Sequence, residues 1–387
     1  MIKNLKNLVP IILISIIPTL LIWLPFFFRM DRFWGIPLPR EGMATVVANY
    51  DGPLFLATAK TLYKKEELSQ NYSFGLPSEY YAAHFPMFPF LIKTFAGIFG
   101  FPYSMLFVTI ISSILSIFFF HKLIRTYVGD ENALWFTFIF AIFPARWLIV
   151  RSVGSAEPLF VAFVIASIYY FKEKKYLLAG IAGALAQMTK SPGILLFVSY
   201  FFAILIPSFK NFAVYSLAKI APNETKLKNV LPIFLIPLSL LGVSIFYKIR
   251  MNDFLAYFHS GDNIHLFFPP FQIFNYSSPW VGTFWLEEIL FVYLFGLLGL
   301  VKLIQSKEVE LSWFVGIFLT SIFFVSHRDI IRYSLPIVPF LFVAFKDTLI
   351  KKEFRYIMLI LAIPVYLFSL VYISQNVMPV SDWAPLL

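Results

Sequence analysis

Apolar runs of roughly 14 to 21 residues recur along most of the chain, separated by short polar segments. A run of about 18 or more apolar residues is long enough for a helix to cross the ~30 Å hydrocarbon core of a bilayer. The pattern predicts eleven spans, at 8–28, 103–120, 132–150, 157–171, 176–190, 192–209, 230–247, 286–304, 311–326, 333–346 and 356–374. Those at 157–171, 176–190 and 333–346 are short for a simple crossing. The first run follows Lys3 and Lys6. It is long for a signal-peptide core and no small-residue cleavage site follows, so it reads as a retained membrane anchor. The fold class this implies is all-α and polytopic, with residues 1–387 forming one transmembrane domain.

Two segments between spans are long enough to hold structure of their own, 29–102 and 248–285. Within the first, Asp51-Gly52-Pro53 is a strong turn signal. After it, Leu54, Phe55, Thr58 and Leu62 repeat at helical spacing, which predicts an amphipathic helix at the membrane surface. The run from His84 to Lys93 leads to a second surface helix. No tandem repeat and no soluble domain is visible.

Charge sets an orientation. Of 31 Lys and Arg, 17 fall in segments on the side of the N-terminus, notably Lys172, Lys174 and Lys175, and Lys210, Lys219, Lys226 and Lys228. Short basic loops mark the cytoplasmic face. The N-terminus is therefore expected inside a cell membrane, of prokaryotic type, with 29–102 and 248–285 outside. Composition agrees with membrane residence: 59% of residues are hydrophobic, only 13% are charged, and the mean hydropathy is +0.79. The net charge of +10 is spread along the edges of spans, which argues for membrane lipids and against nucleic acid as the partner. Cys is absent, so disulfides, thiolate metal sites and cysteine nucleophiles are excluded.

The polar residues that could do chemistry cluster on the outer side. No phosphate-cradling glycine loop, His-Glu-x-x-His, nucleophile elbow or Asp-x-Asp pair is present, and no metal ligands are assigned. Asp51 fits a general base held at a turn beside an apolar surface, where partial desolvation would raise its pKa toward neutrality. It also fits a helix N-cap. Glu157, at the start of a span and followed by Pro158, has the same two readings. Lys190, Arg328 and Arg332 could bind a phosphate or could rest as interfacial cations. Arg328 and Arg332 are four apart and would share a face if their segment is helical. Arg146 and Arg151 are weaker candidates. Phe267, Phe268 and Phe271, with Tyr276, Trp280 and Trp285, could form a sugar-stacking wall or an ordinary aromatic belt.

In this register the chain resembles integral-membrane glycosyltransferases of the GT-C superfamily, most closely the GPI mannosyltransferase II (PIG-V-like) group and its prokaryotic relatives. That group's Trp-Asp-Gly motif is matched by Tyr50-Asp51-Gly52, followed by Phe55, Thr58-Ala59 and Leu62-Tyr63. Its Phe-Phe-Pro-Leu-Tyr-Pro stretch is matched by His84-Phe85-Pro86-Met87-Phe88-Pro89, its Glu-Ser-Leu-Phe by Glu157-Pro158-Leu159-Phe160, and its Thr-Arg-Pro-x-Gly by Thr189-Lys190-Ser191-Pro192-Gly193. Arg332-Tyr333-Ser334-Leu335-Pro336 is a common GT-C ending. The resemblance implies a sugar, mannose in the first instance, moved from a polyprenyl-phosphate donor to a lipid-linked or glycan acceptor on the non-cytoplasmic face, with inversion. It assigns Asp51 as base and Tyr50, His84, Glu157, Lys190, Arg328 and Arg332 to substrate binding, with no cofactor. A surface-glycan ligase or polymerase would use the same face and donors. A lipid or solute transporter would call for ionisable groups near mid-membrane and two similar halves, and neither is seen.

Overall fold

The computed structural model describes residues 2–72, 74–206, 230–261, 264–275, 277 and 285–387. Lys210, Lys219, Lys226, Lys228, Tyr276 and Trp280 lie outside them. The described chain is helical apart from a two-stranded antiparallel ribbon, β1 (Arg32–Phe33) and β2 (Ile36–Pro37). Helix α1 spans Ile2–Phe27. The segment after it folds into α2 (Met43–Val47), α3 (Gly52–Thr61), α4 (Lys65–Asn71), a 3-10 turn at Ser78–Ala83 and α5 (Met87–Phe99). Then come α6 (Phe101–Ile142), α7 (Ala145–Arg151), α8 (Glu157–Lys172), α9 (Tyr176–Thr189) and α10 (Ile194–Leu205). The rest comprises α11 (Leu235–Met251), α12 (Leu286–Gln305), α13 (Val309–Phe323), α14 (Ile330–Ser334), α15 (Val338–Ala344), α16 (Lys346–Leu349) and α17 (Lys352–Gln375).

Among the described residues, four helical stretches are long and apolar enough to cross a membrane: Leu8–Phe27, Phe101–Ile142, Leu231–Met251 and Lys352–Gln375. Five shorter apolar helices accompany them. The breaks differ from the sequence pattern where Gly and Pro intervene. Within α6, Gly129 takes φ 73° and ψ 171°, which ends one helical run and starts another. The run before it is therefore longer than 103–120. The predicted span 132–150 stops at Phe143, whose extended backbone is what a following proline imposes, and resumes as α7 after Pro144. The predicted span 333–346 is divided into α14, a 3-10 turn at Leu335–Ile337 and α15 by Pro336 and Pro339.

Helix α3 is not the surface helix expected. Every residue from Gly52 to Ala59 is buried, and so is Thr61. It packs against α5 and α6 and is covered by the chain's last turn, so its apolar side faces protein all round. Gly52 is required here: a Cβ on it would lie 2.0 Å from the carbonyl oxygen of Val47. Helix α5 does behave as an amphipathic surface helix. It buries Phe88 and Ile92 while Phe90 and Ile98 are exposed. The core runs from α6 through α8 and α13 to α15, with Phe120, Phe140, Ile165, Phe314 and Phe340 fully buried at its centre.

Candidate active site

One end of the bundle encloses a cavity of about 700 Å³. Its lining includes Tyr50, Asp51, His84, Glu157, Lys190, Arg328 and Arg332, the seven residues that the family resemblance assigned to the site, but neither Arg146 nor Arg151. They come from five separated stretches: the turn before α3, the end of the 3-10 turn before α5, the start of α8, the end of α9, and the turn and helix at α14.

Asp51 occupies the N-cap position of α3, yet its side chain makes no capping hydrogen bond. Oδ2 instead faces Arg332 Nη2 at 3.4 Å and His84 Nε2 at 3.8 Å. Helix α8 begins at the same depth. Glu157 Oε1 accepts from Lys190 Nζ at 2.6 Å and lies 3.1 Å from Arg332 Nε, while Oε2 accepts from the Ser155 hydroxyl. One guanidinium therefore bridges the two carboxylates. Lys190 reaches Glu157 because the chain turns tightly after α9, where Gly193 packs on the backbone of Gln187 and a Cβ would meet it at 2.4 Å.

A second layer backs the first. The Arg332 guanidinium lies over the Tyr50 ring, 4.5 Å from its centroid, and 4.0 Å from Asp329 Oδ2. Buried Asp329 is in ion-pair contact with Arg146 Nε at 2.9 Å, and the Arg146 guanidinium sits 3.7 Å over the Tyr372 ring. The His327 Nδ1 accepts the Asp329 backbone N–H at 3.0 Å, which leaves Nε2 as the protonated nitrogen of the neutral ring.

The electrostatics follow from these contacts. Burial pushes the Asp51 carboxyl up, but the His84 ring and the Arg332 guanidinium pull it down further, well below the ordinary carboxylate range. The sequence suggested the opposite direction, because it showed the apolar surroundings and not the cation that folding brings to them. Asp329 moves up, since burial outweighs Arg146 and Arg332. Burial, His265 and the two nearby arginines hold His327 down at about 3, so it is neutral at any ordinary pH.

Two expectations change. Arg328 lines the cavity but is exposed and sits in the turn before α14, which starts only at Ile330. It does not share a helix face with Arg332. Unlike Arg332, it forms no ion pair among the described residues. Of the aromatic run, Phe267, Phe268 and Phe271 are not in the cavity wall; Phe268 is 88% exposed and Phe271 packs on Phe323 and Tyr293. Asp329, Tyr372 and the segment 375–378 were missed by sequence reasoning. Asp329 could have been suspected as a carboxylate between two arginines; the last helix carried no signal. Among the described residues no group of three or more His, Asp or Glu is placed to hold a metal ion.

Comparison with known proteins bears on the fold that carries this site. The family described as dolichyl-phosphate-mannose-protein mannosyltransferase matches residues 83–221, about a third of the chain. No curated protein matches the sequence. Among solved structures, ArnT from Cupriavidus metallidurans bound to undecaprenyl phosphate superposes with a TM-score of 0.55 at 12% identity, covering 94% of this chain and 76% of ArnT. The same enzyme in the apo state gives 0.52 at 10% identity, covering 86% and 74%. The chain is thus a multi-pass integral-membrane protein with the fold of the GT-C superfamily of glycosyltransferases.

Proposed function

We propose that the protein transfers a sugar, mannose in the first instance, from a polyprenyl-phosphate donor to a hydroxyl of a lipid-linked or glycan acceptor, with inversion. The observation that carries this reading is the sharing of Arg332 between Asp51 and Glu157 at the wall of the cavity. A carboxylate that can take a proton stands beside cations that can take a phosphate.

Asp51 acts as the base. The acceptor hydroxyl gives its proton to the carboxylate as its oxygen bonds the sugar's anomeric carbon. The bond from that carbon to the phosphate oxygen breaks, and the polyprenyl phosphate leaves with the electron pair. Arg332, Lys190 and Arg328 stabilise the charge that grows on the phosphate. Glu157 occupies the position between Lys190 and Arg332 that an incoming phosphate oxygen would contest. Arg332 drawn to the phosphate moves away from Asp51, and the carboxylate becomes a stronger base as the donor arrives. Tyr50 and His84 line the route between base and donor. The short basic loops favour the extracytoplasmic side for this end of the bundle.

The test is transfer by the full chain, in bilayer nanodiscs, from polyprenyl-phosphate mannose and other polyprenyl-phosphate sugars to extracted membrane glycolipids. Single-sugar transfer with release of polyprenyl phosphate is the expected result. Transfer of a preassembled glycan from a polyprenyl diphosphate would assign a ligase instead. No transfer from any monophosphate donor would end the proposal.

A further inference from the structure

The turn that carries Asp51 is tied to the end of the last helix, more than 320 residues away. Asn49 is fully buried. Its Nδ2 donates to the carbonyl oxygen of Ile373 at 2.7 Å, and its Oδ1 accepts from Asn376 Nδ2 at 3.3 Å. Ile373 belongs to the last turn of α17, where carbonyl groups lack an intrahelical partner, so the first bond also terminates that helix. The backbone repeats the tie: the Met378 N–H donates to Ala48 O at 2.8 Å and the Tyr50 N–H to Asn376 O at 3.3 Å, forming an antiparallel bridge between Asn49 and Val377. Residues 375–378 then continue as cavity wall.

Between Asn49 and Asp51 sits Tyr50 with φ +50°. A bulky residue in the left-handed region is uncommon and persists only where its surroundings over-determine it. Here Asn49 fixes the backbone on one side. Arg332 and Tyr372 hold the ring on the other, the Tyr50 and Tyr372 centroids being 5.7 Å apart. Release of Asn49 lets Tyr50 relax to negative φ, which re-aims the next side chain, Asp51.

We propose that Asn49 is the positioning residue for Asp51, and that residues 373–378 are the clamp through which it acts. The inference rests on the reading of Asp51 as base. Asn49 touches no substrate; it sets the direction of the carboxylate and leaves the phosphate-binding cations alone.

The full chain in nanodiscs is assayed for transfer from polyprenyl-phosphate mannose, for binding of undecaprenyl phosphate, and for amide exchange over residues 48–52. Asn49→Ala should lower kcat about 10- to 100-fold, the range a misplaced reacting group produces. Donor KM and undecaprenyl phosphate affinity should stay within about threefold, and exchange at 48–52 should rise about tenfold without change in α8 or α9. A wild-type kcat, unchanged exchange, or an equal loss of undecaprenyl phosphate binding would overturn the proposal. Should Asn49→Ala not fold, Asn376 carries the test. Asn376→Asp turns an oxygen toward Asn49 Oδ1 and should cost more kcat than Asn376→Ala; equal kcat in the two overturns the clamp. Asp51→Asn separates the two readings. If it transfers at the wild-type rate, the base assignment falls, and the clamp then stands or falls on the exchange result alone.

Discussion

The two ends of the helix bundle use the same side-chain chemistry to opposite effect. At the end away from the cavity, Lys172 Nζ contacts Glu308 at 2.5 Å and Glu310 at 3.7 Å, and the Tyr127 hydroxyl donates to Glu308 at 2.8 Å. These bonds join α6, α8 and α13, and none of the four residues borders the cavity. One ammonium serves two carboxylates, and the group is closed. At the other end a guanidinium also serves two carboxylates, but both of these face open volume, and Arg328 stands beside them with no ion pair among the described residues. Ion pairs are therefore no sign of a site by themselves. A set of partners that a ligand can exchange, arranged around a space to receive it, is.

The largest expected effect that tests this contrast is Asp51→Asn. It keeps size and polarity, removes the base, and should lower kcat about 10²- to 10⁴-fold in the donor-saturated transfer assay, with the folded protein recovered normally. Next, Arg332→Lys retains the charge but loses the fork that reaches Asp51, Glu157 and a phosphate together. A loss of about 10- to 100-fold in kcat/KM for the donor is expected; unchanged kinetics over the full donor range would make Arg332 an interfacial anchor.

The pH profile gives a smaller and directional effect. On the proposed mechanism the active base is ionised Asp51, whose pKa lies below the ordinary carboxylate range. So log kcat/KM should stay level as pH falls from 7 to about 5 and bend only at more acid values. Replacement of Arg332 by Met removes one of the groups that hold Asp51 down and leaves His84 in place, which should move the bend upward. A wild-type bend between pH 6 and 7 would assign the limiting proton to another group. The smallest effect belongs to the closed end: Lys172→Met should change transfer by less than about twofold. It should still destabilise the folded protein by about 1–3 kcal/mol, because Glu308 and Glu310 are left partly buried without their cation. A thermal-unfolding series in detergent measures it.

How far the sequence exposes this design depends on the range of the interaction. Asp51 was legible because Asp-Gly-Pro signals a turn locally. The helical runs were legible from apolar periodicity, and their misplaced ends fall where Pro144, Pro336 and Gly129 outweigh it. The burial of α3 was hidden, since nothing within 52–61 says what covers it. Arg332 could be named, but its pairing with Glu157 across 175 positions could not. The link between Asn49 and Asn376 leaves no local trace at all. The shared face expected of Arg328 and Arg332 failed for a related reason: a four-residue spacing carries meaning only if a helix has started, and α14 starts two residues too late.

The shortness of α9 and α10 has a consequence for the surrounding lipid. At 14 and 12 residues they reach about 21 Å and 18 Å, against a hydrocarbon thickness of about 30 Å. Leu177, Ile181 and Phe201 are exposed along them, and the cavity wall includes Thr189, Ile194 and Leu195 from the same two helices or the turn between them. Thinning is one way a bilayer can match so low a wall. On the proposed function, such thinning would bring headgroups nearer the midplane at this wall, and the donor phosphate would travel the last few ångströms toward Lys190 down a slope that the membrane itself supplies.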